Sequence, residues 1–164
     1  VHLGFVERQP NRGIVVRRRE LTEVLHQFEM REVNEGLCAR VAARNTPGKS
    51  WNDLIELFDG PMQDIVEHKD LHAYVRYYEQ FRRRLIEAAG SQQLAELLQQ
   101  LNDMTSIFGR RALLVSDRTE HALHDHRAVL SALRRGDAAA AEHLRRATIA
   151  NVRAAVERYH AFVL

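Results

Sequence analysis

Five side chains interrupt rows of residues that would otherwise form apolar helical stripes, and their types are those that bind small polar molecules. His126 stands among Thr119, Ala122, Leu123, Val129, Leu130 and Leu133. Tyr78 and Arg82 accompany Leu71, Tyr74, Val75, Phe81 and Leu85, and Thr148 falls midway along Ala141, Leu144, Val152, Ala155 and Tyr159. Arg31, four residues before Glu35, continues the row of Leu21, Leu25 and Phe28. At the helical period these positions share a face with their apolar neighbours. Taken singly, each has a structural explanation. A stripe histidine can be a hydrogen-bonded core residue, Thr148 can bond its own helix backbone, and Arg31 with Glu35 can be a helix-edge pair. Arg82 can extend to solvent, and Tyr78 can be a core ring with its hydroxyl outside. Their coincidence points further, because a buried guanidinium needs a partner. That partner is either Glu35 or a ligand anion. A guanidinium is a permanent cation with a planar fork suited to a carboxylate. Arg82 and Arg31 are therefore candidate cations for such an anion, with His126, Thr148 and Tyr78 as candidate hydrogen-bonding neighbours.

The remaining histidines do not make a metal site. His68 and His72 are four apart, which is half a site. His121 and His124 point away from His126 at helical geometry. Gly-rich phosphate loops, a nucleophile elbow, HExxH and a Cys–His pairing are all missing, so no catalytic residue and no cofactor is expected.

Helices must position these groups. The chain reads as helical from Glu20 onward, with a first helix to about Arg44 that stops at Asn45-Thr46-Pro47-Gly48. Ser50 is a candidate N-cap for the second, and Gly60-Pro61 breaks it. The next spans about Asp70 to Ala89 and ends at Gly90. Ser91 caps another, Asp117 with Glu120 resembles a capping box, Gly136 closes that helix and Asp137 caps the last. The expected fold is all-α: an antiparallel bundle of six or seven helices. Ahead of it, Phe5-Val6 and Ile14-Val15-Val16 flank turn chemistry at residues 9–13 and read as a short β-hairpin with Arg12 at its tip. Arg17-Arg18-Arg19 form a basic connector. On the first helix Met30, Val33, Leu37 and Val41 make a second apolar stripe, as in a helix buried on both sides.

The 164 residues suffice for one domain with a real core. Cys38 is the only cysteine, which excludes an internal disulfide and favours a reducing, cytoplasmic setting. No apolar run approaches the roughly 20 residues of a membrane helix, and a net charge of +2 does not mark a nucleic-acid binder.

Four segments in order resemble the FadR-type GntR transcription regulators. GFVERQPNRGIVV is similar to the wing hairpin of their winged helix-turn-helix domain. EMREVNEGLCARVAA, FRRRLIEAAGSQQL and DHRAVLSALRRGDAAAAEHLR are similar to segments of their C-terminal ligand-binding domain (FCD). The resemblance implies a helical effector-binding and dimerisation domain at 20–164, and a wing and linker remnant of the DNA-reading domain at 1–19. It also implies a homodimer, with operator DNA reached through a domain upstream and touched by Arg12. Many members hold a divalent metal with one aspartate and three histidines. Those positions are Tyr78, Arg82, His126 and Thr148 here, so one ligand of four is kept and no metal is expected. The expected function is a ligand-responsive transcription regulator sensing a small anionic metabolite, with effector contacts from Arg31, Tyr78, Arg82, His126 and Thr148. The alternative is a purely structural dimerisation module, its interior filled by side chains; a helical metalloenzyme is a more distant third.

Overall fold

Helix boundaries follow local chemistry. Asp70, Ser91 and Asp137 each accept a backbone N–H three residues on, from Ala73, Leu94 and Ala140 at 2.9, 3.3 and 3.0 Å. Each satisfies a donor that the first helical turn leaves free. Gly90 and Gly136, both at φ 67°, end their helices in the left-handed conformation that glycine adopts without strain. The structure, a computed structural model, describes residues 19–115 and 117–164, and the backbone of 6–9 and 13–16.

Seven helices make the bundle: α1 (Leu21–Asn45), α2 (Asn52–Asp59), α3 (Pro61–Glu67), α4 (Leu71–Ala89), α5 (Gln92–Ala112), α6 (Arg118–Arg134) and α7 (Ala138–Arg158). A single turn, α8 (His160–Val163), closes the chain. α1 is the central strut, packing chiefly on α7 and also on α4 and α5, while α6 joins α7 and α2. Upstream, Val6–Gln9 pairs antiparallel with Gly13–Val16. The expected hairpin is not established by that pairing, because its turn at residues 10–12, Arg12 included, lies outside the described residues.

Two capping expectations are corrected. Ser50 does not cap α2; Gly48–Trp51 forms a 3₁₀ turn that runs straight into that helix. Pro47 starts this turn, and Gly48 lets it approach the end of α6, where a Cβ would overlap the backbone carbonyl oxygen of Arg134. Asp117 makes no side-chain cap for α6; its backbone sits at φ 59° and turns the chain into the helix instead. The second stripe of α1 is also not buried on both sides within the chain. Met30 and Val33 are 50% and 53% exposed, whereas Leu37 and Val41 pack partly against the core.

Buried apolar residues fall into two clusters. The larger includes Trp51, Phe58, Tyr74, Phe81, Leu85, Leu123, Leu130 and Leu133. The smaller joins Val24 and Phe28 of α1 to Phe108 and Ala112 of α5, Ile149 and Val156 of α7, and Val163. α1, α5 and α7 contribute residues to the smaller cluster, and the polar residues singled out above lie along these same helices and their neighbours.

Candidate functional site

Arg31 and Glu35 are one turn apart on α1 and both buried, at 4% and 1% exposure. Arg31 donates through Nε to Glu35 Oε1 at 2.8 Å, through Nη1 to Thr105 Oγ1 at 3.1 Å and through Nη2 to the Tyr78 hydroxyl at 2.9 Å. Arg145 of α7, wholly buried, donates through Nε to Glu35 Oε2 at 2.8 Å, and its Nη2 makes a second, shorter contact to the same oxygen. That Nη2 also reaches the Tyr78 hydroxyl at 3.2 Å. Arg82 of α4 stands 3.8 Å from Glu35 Oε1 and donates to the Leu98 carbonyl oxygen at 2.9 Å. Glu35 thus ties α1, α4 and α7 together. Burial alone would push its carboxyl up, but the guanidiniums of Arg145, Arg31 and Arg82 outweigh that and hold it at about 2.

Charge is unbalanced here. Three buried guanidiniums face one buried carboxylate, and the nearest second one, Glu79, is a partly exposed group 3.7 Å from Arg82. An interior with surplus positive charge is costly unless an anion completes it.

Beside the cluster lies a cavity of about 60 Å³. Its walls come from both apolar clusters, Phe28, Ala112 and Ile149 from one and Tyr74 and Ala122 from the other. Arg31, Tyr78, His126 and Thr148 line it, as do Arg118 and Asn102. A water takes about 10–15 Å³ on this measure, so there is room for about four to six, or for a molecule of that many heavy atoms. His126 is 3% exposed. Its ring stacks on Tyr78 at 5.1 Å and meets Phe58 and Phe81 at 5.9 and 5.5 Å. Burial, and then the Arg145 cation, push its pKa well below the usual histidine range, so it is a neutral imidazole.

Four of the five expected effector residues therefore meet at one cavity. Arg82 does not. It is buried as expected, but it points toward α5 and lies outside the cavity lining. On α7 the expected Ala141, Thr148 and Ala155 are buried, and the buried face extends to Arg145, Ile149 and Val156, while Tyr159 is 36% exposed. α7 packs on both α1 and α6, so its buried face is wider than one stripe. Arg145, Arg118 and Thr105 went unnoticed in the sequence. The row Ala141, Arg145, Ile149, spaced by four, was the available signal for the first.

The divalent metal that the resemblance implies for many members does not fit these residues. The Tyr78 hydroxyl accepts from two guanidiniums, and the Thr148 hydroxyl donates to the Leu144 carbonyl oxygen at 2.9 Å. Arg82 is a cation, leaving His126 as the one imidazole. A divalent ion placed among guanidiniums would be repelled. No group of three or more histidine, cysteine, aspartate or glutamate side chains with metal-binding geometry occurs among the described residues.

The family model described as FCD domain matches residues 26–160, most of the chain. A search of curated proteins found no match. Among the described residues, no helix is long and apolar enough to cross a membrane.

Proposed function

The chain belongs to the FCD domain family, the C-terminal effector-binding domain of GntR-type transcription regulators, and from that premise we propose that it senses a small anionic metabolite, a carboxylate in class. One observation carries the reading: a small, partly open cavity lies against a cluster with more buried guanidiniums than carboxylates. In such a water-poor interior a charge-assisted pair is stronger than at the surface. Arg31, Tyr78, His126 and Thr148 contact the effector. Arg82 contributes positive potential from behind by sharing Glu35. In this reading a permanent organic cation does the work that a metal does in relatives.

The chain works as a regulator rather than an enzyme. Residues 1–19 belong to the wing and linker of a DNA-reading domain, through which operator DNA is reached and touched by Arg12. It dimerises over the exposed Met30 and Val33 of α1. The test is a thermal-shift screen of small carboxylates and phosphates against their neutral amides. Stabilisation by carboxylates alone is the expected result. Hits confined to neutral or cationic compounds would overturn the proposal, and no hit at all would favour a purely structural dimerisation module.

A further inference from the structure

Three buried polar atoms without a hydrogen-bond partner belong to residues that line the same cavity: Arg118 Nη2, the Tyr74 hydroxyl and His126 Nδ1. Tyr74 and His126 are 1% and 3% exposed, so bulk water does not satisfy them. Buried polar groups are almost always paired, and those that are not call for an explanation. Their shared location supplies one.

We infer that Arg118, not a guanidinium of the Glu35 cluster, holds the carboxylate of the effector, with the Tyr74 hydroxyl beside it and His126 reading an uncharged hydrogen-bonding group at the ligand's other end. This rests on the reading that the cavity takes a small anion, and it names the ligand as a short monocarboxylate bearing a hydroxyl-like substituent. The other cations are committed or misplaced. Each nitrogen of Arg31 already donates, to Glu35, Thr105 and Tyr78. Arg82 and Arg145 do not line the cavity, and Arg110, which does, is exposed. Asp125, the carboxylate that acts on Arg118 electrostatically, accepts from Asn151 at 3.0 Å and lies 3.8 Å from His124.

The layout of α6 sets the ligand's length. Arg118, Ala122 and His126 follow at intervals of four, so they share one face. Arg118 and His126 are separated by about 12 Å of helix rise. Small Ala122 lies between them, and Val75, Leu113, Ile149 and Val152 also wall the cavity, so the middle of the ligand is uncharged. At the His126 end a neutral imidazole offers a donor or an acceptor but no charge. Glu79 also lines the cavity, and each nitrogen of Arg31 is occupied, so a second carboxylate would meet a like charge and no uncommitted buried guanidinium of that lining beyond Arg118.

The experiment is calorimetric titration of the purified chain with propionate, 3-hydroxypropionate, propionamide and succinate. We expect 3-hydroxypropionate, whose hydroxyl is at the end away from the carboxylate, to bind tightest and propionamide not to bind. Arg118→Gln should weaken both monocarboxylates tenfold or more, and Arg118→Lys, which keeps the charge and loses the fork, by less. Arg110→Gln should stay within threefold of wild type. His126→Phe should erase the advantage of the hydroxy acid over propionate. If wild type binds no carboxylate, or binds the amide equally well, the anion reading falls and this inference with it. If carboxylates bind and Arg118→Gln, folded by circular dichroism, leaves their affinity within threefold, this inference alone is overturned.

Discussion

Replacing Glu35 by glutamine removes one charge and almost no volume, so its effect isolates the electrostatics of the cluster. The carboxylate bonds Arg31 and Arg145 at 2.8 Å each and stands 3.8 Å from Arg82. Removing one partner of a buried ion pair costs about 3–5 kcal/mol, because it leaves uncompensated charge inside. An independent route agrees. A carboxyl held at about 2 against an ordinary 4.5 corresponds to about 3 kcal/mol at neutral pH. For a domain of this size, about 3 kcal/mol is a fall in melting temperature of about 6–12 °C. The folded-state pKa is depressed, so this stability is present above about 4.5 and is lost as the pH falls toward 2. Urea denaturation of wild type and Glu35→Gln at pH 7 and across pH 5 to 3 measures both effects. The variant should be weaker at pH 7 and lose less on acidification. Acetate should stabilise the variant more than wild type, since the surplus positive charge has grown. A loss below about 1 kcal/mol at pH 7, well under the cost of breaking a buried pair, would refute the buried-charge account.

Three further outcomes follow. His126 is neutral when folded but takes a proton below about 6.5 when unfolded, so stability should fall by up to about 1.4 kcal/mol per pH unit between pH 6.5 and 5 from this residue alone. His126→Phe should flatten that slope in denaturation curves, and an unchanged slope would show that the imidazole ionises inside. Gly48→Ala drives a methyl group into the Arg134 carbonyl and should cost about 1–3 kcal/mol; a neutral result in urea would mean that the 3₁₀ turn shifts freely. Val33→Glu places a charge on the exposed stripe of α1 and should convert a dimer to monomer in sedimentation equilibrium, whereas a wild-type monomer at micromolar concentration would remove the dimer proposal.

Most helix ends were legible because they rest on local signals. Asp70, Ser91, Asp137, Gly90 and Gly136 act within one turn of themselves. Ser50 and Asp117 misled for the same reason in reverse. Each has a capping residue's chemistry, but the backbone conformation of its turn was decided by neighbours. That certain polar residues are buried was readable from periodicity, as Arg31, His126 and Thr148 show. Where a long side chain ends was not. Arg82 leaves its stripe toward Leu98 on α5, a choice set by a groove between helices that one helix's period does not encode. Arg145 and Arg146 are adjacent and chemically identical, yet one is wholly buried and the other 46% exposed at its side chain. Only the placement of α7 against α1 separates them.

The division of the apolar interior has a kinetic side. The smaller cluster gathers the start of α1, the end of α5 and the end of α7, and the cavity separates it from the rest over part of its border. Segments with few apolar contacts open at lower free energy than the core, and amide exchange reports that opening residue by residue. Backbone amides around Phe108, Ala112 and Val156 should therefore exchange faster than those around Leu85 and Leu130. A molecule filling the cavity touches both regions and couples their opening. Hydrogen exchange by mass spectrometry should then show a saturating carboxylate slowing the faster end toward the rate of the slower one. Uniform exchange across both ends without ligand would show that they already open as a single cooperative unit.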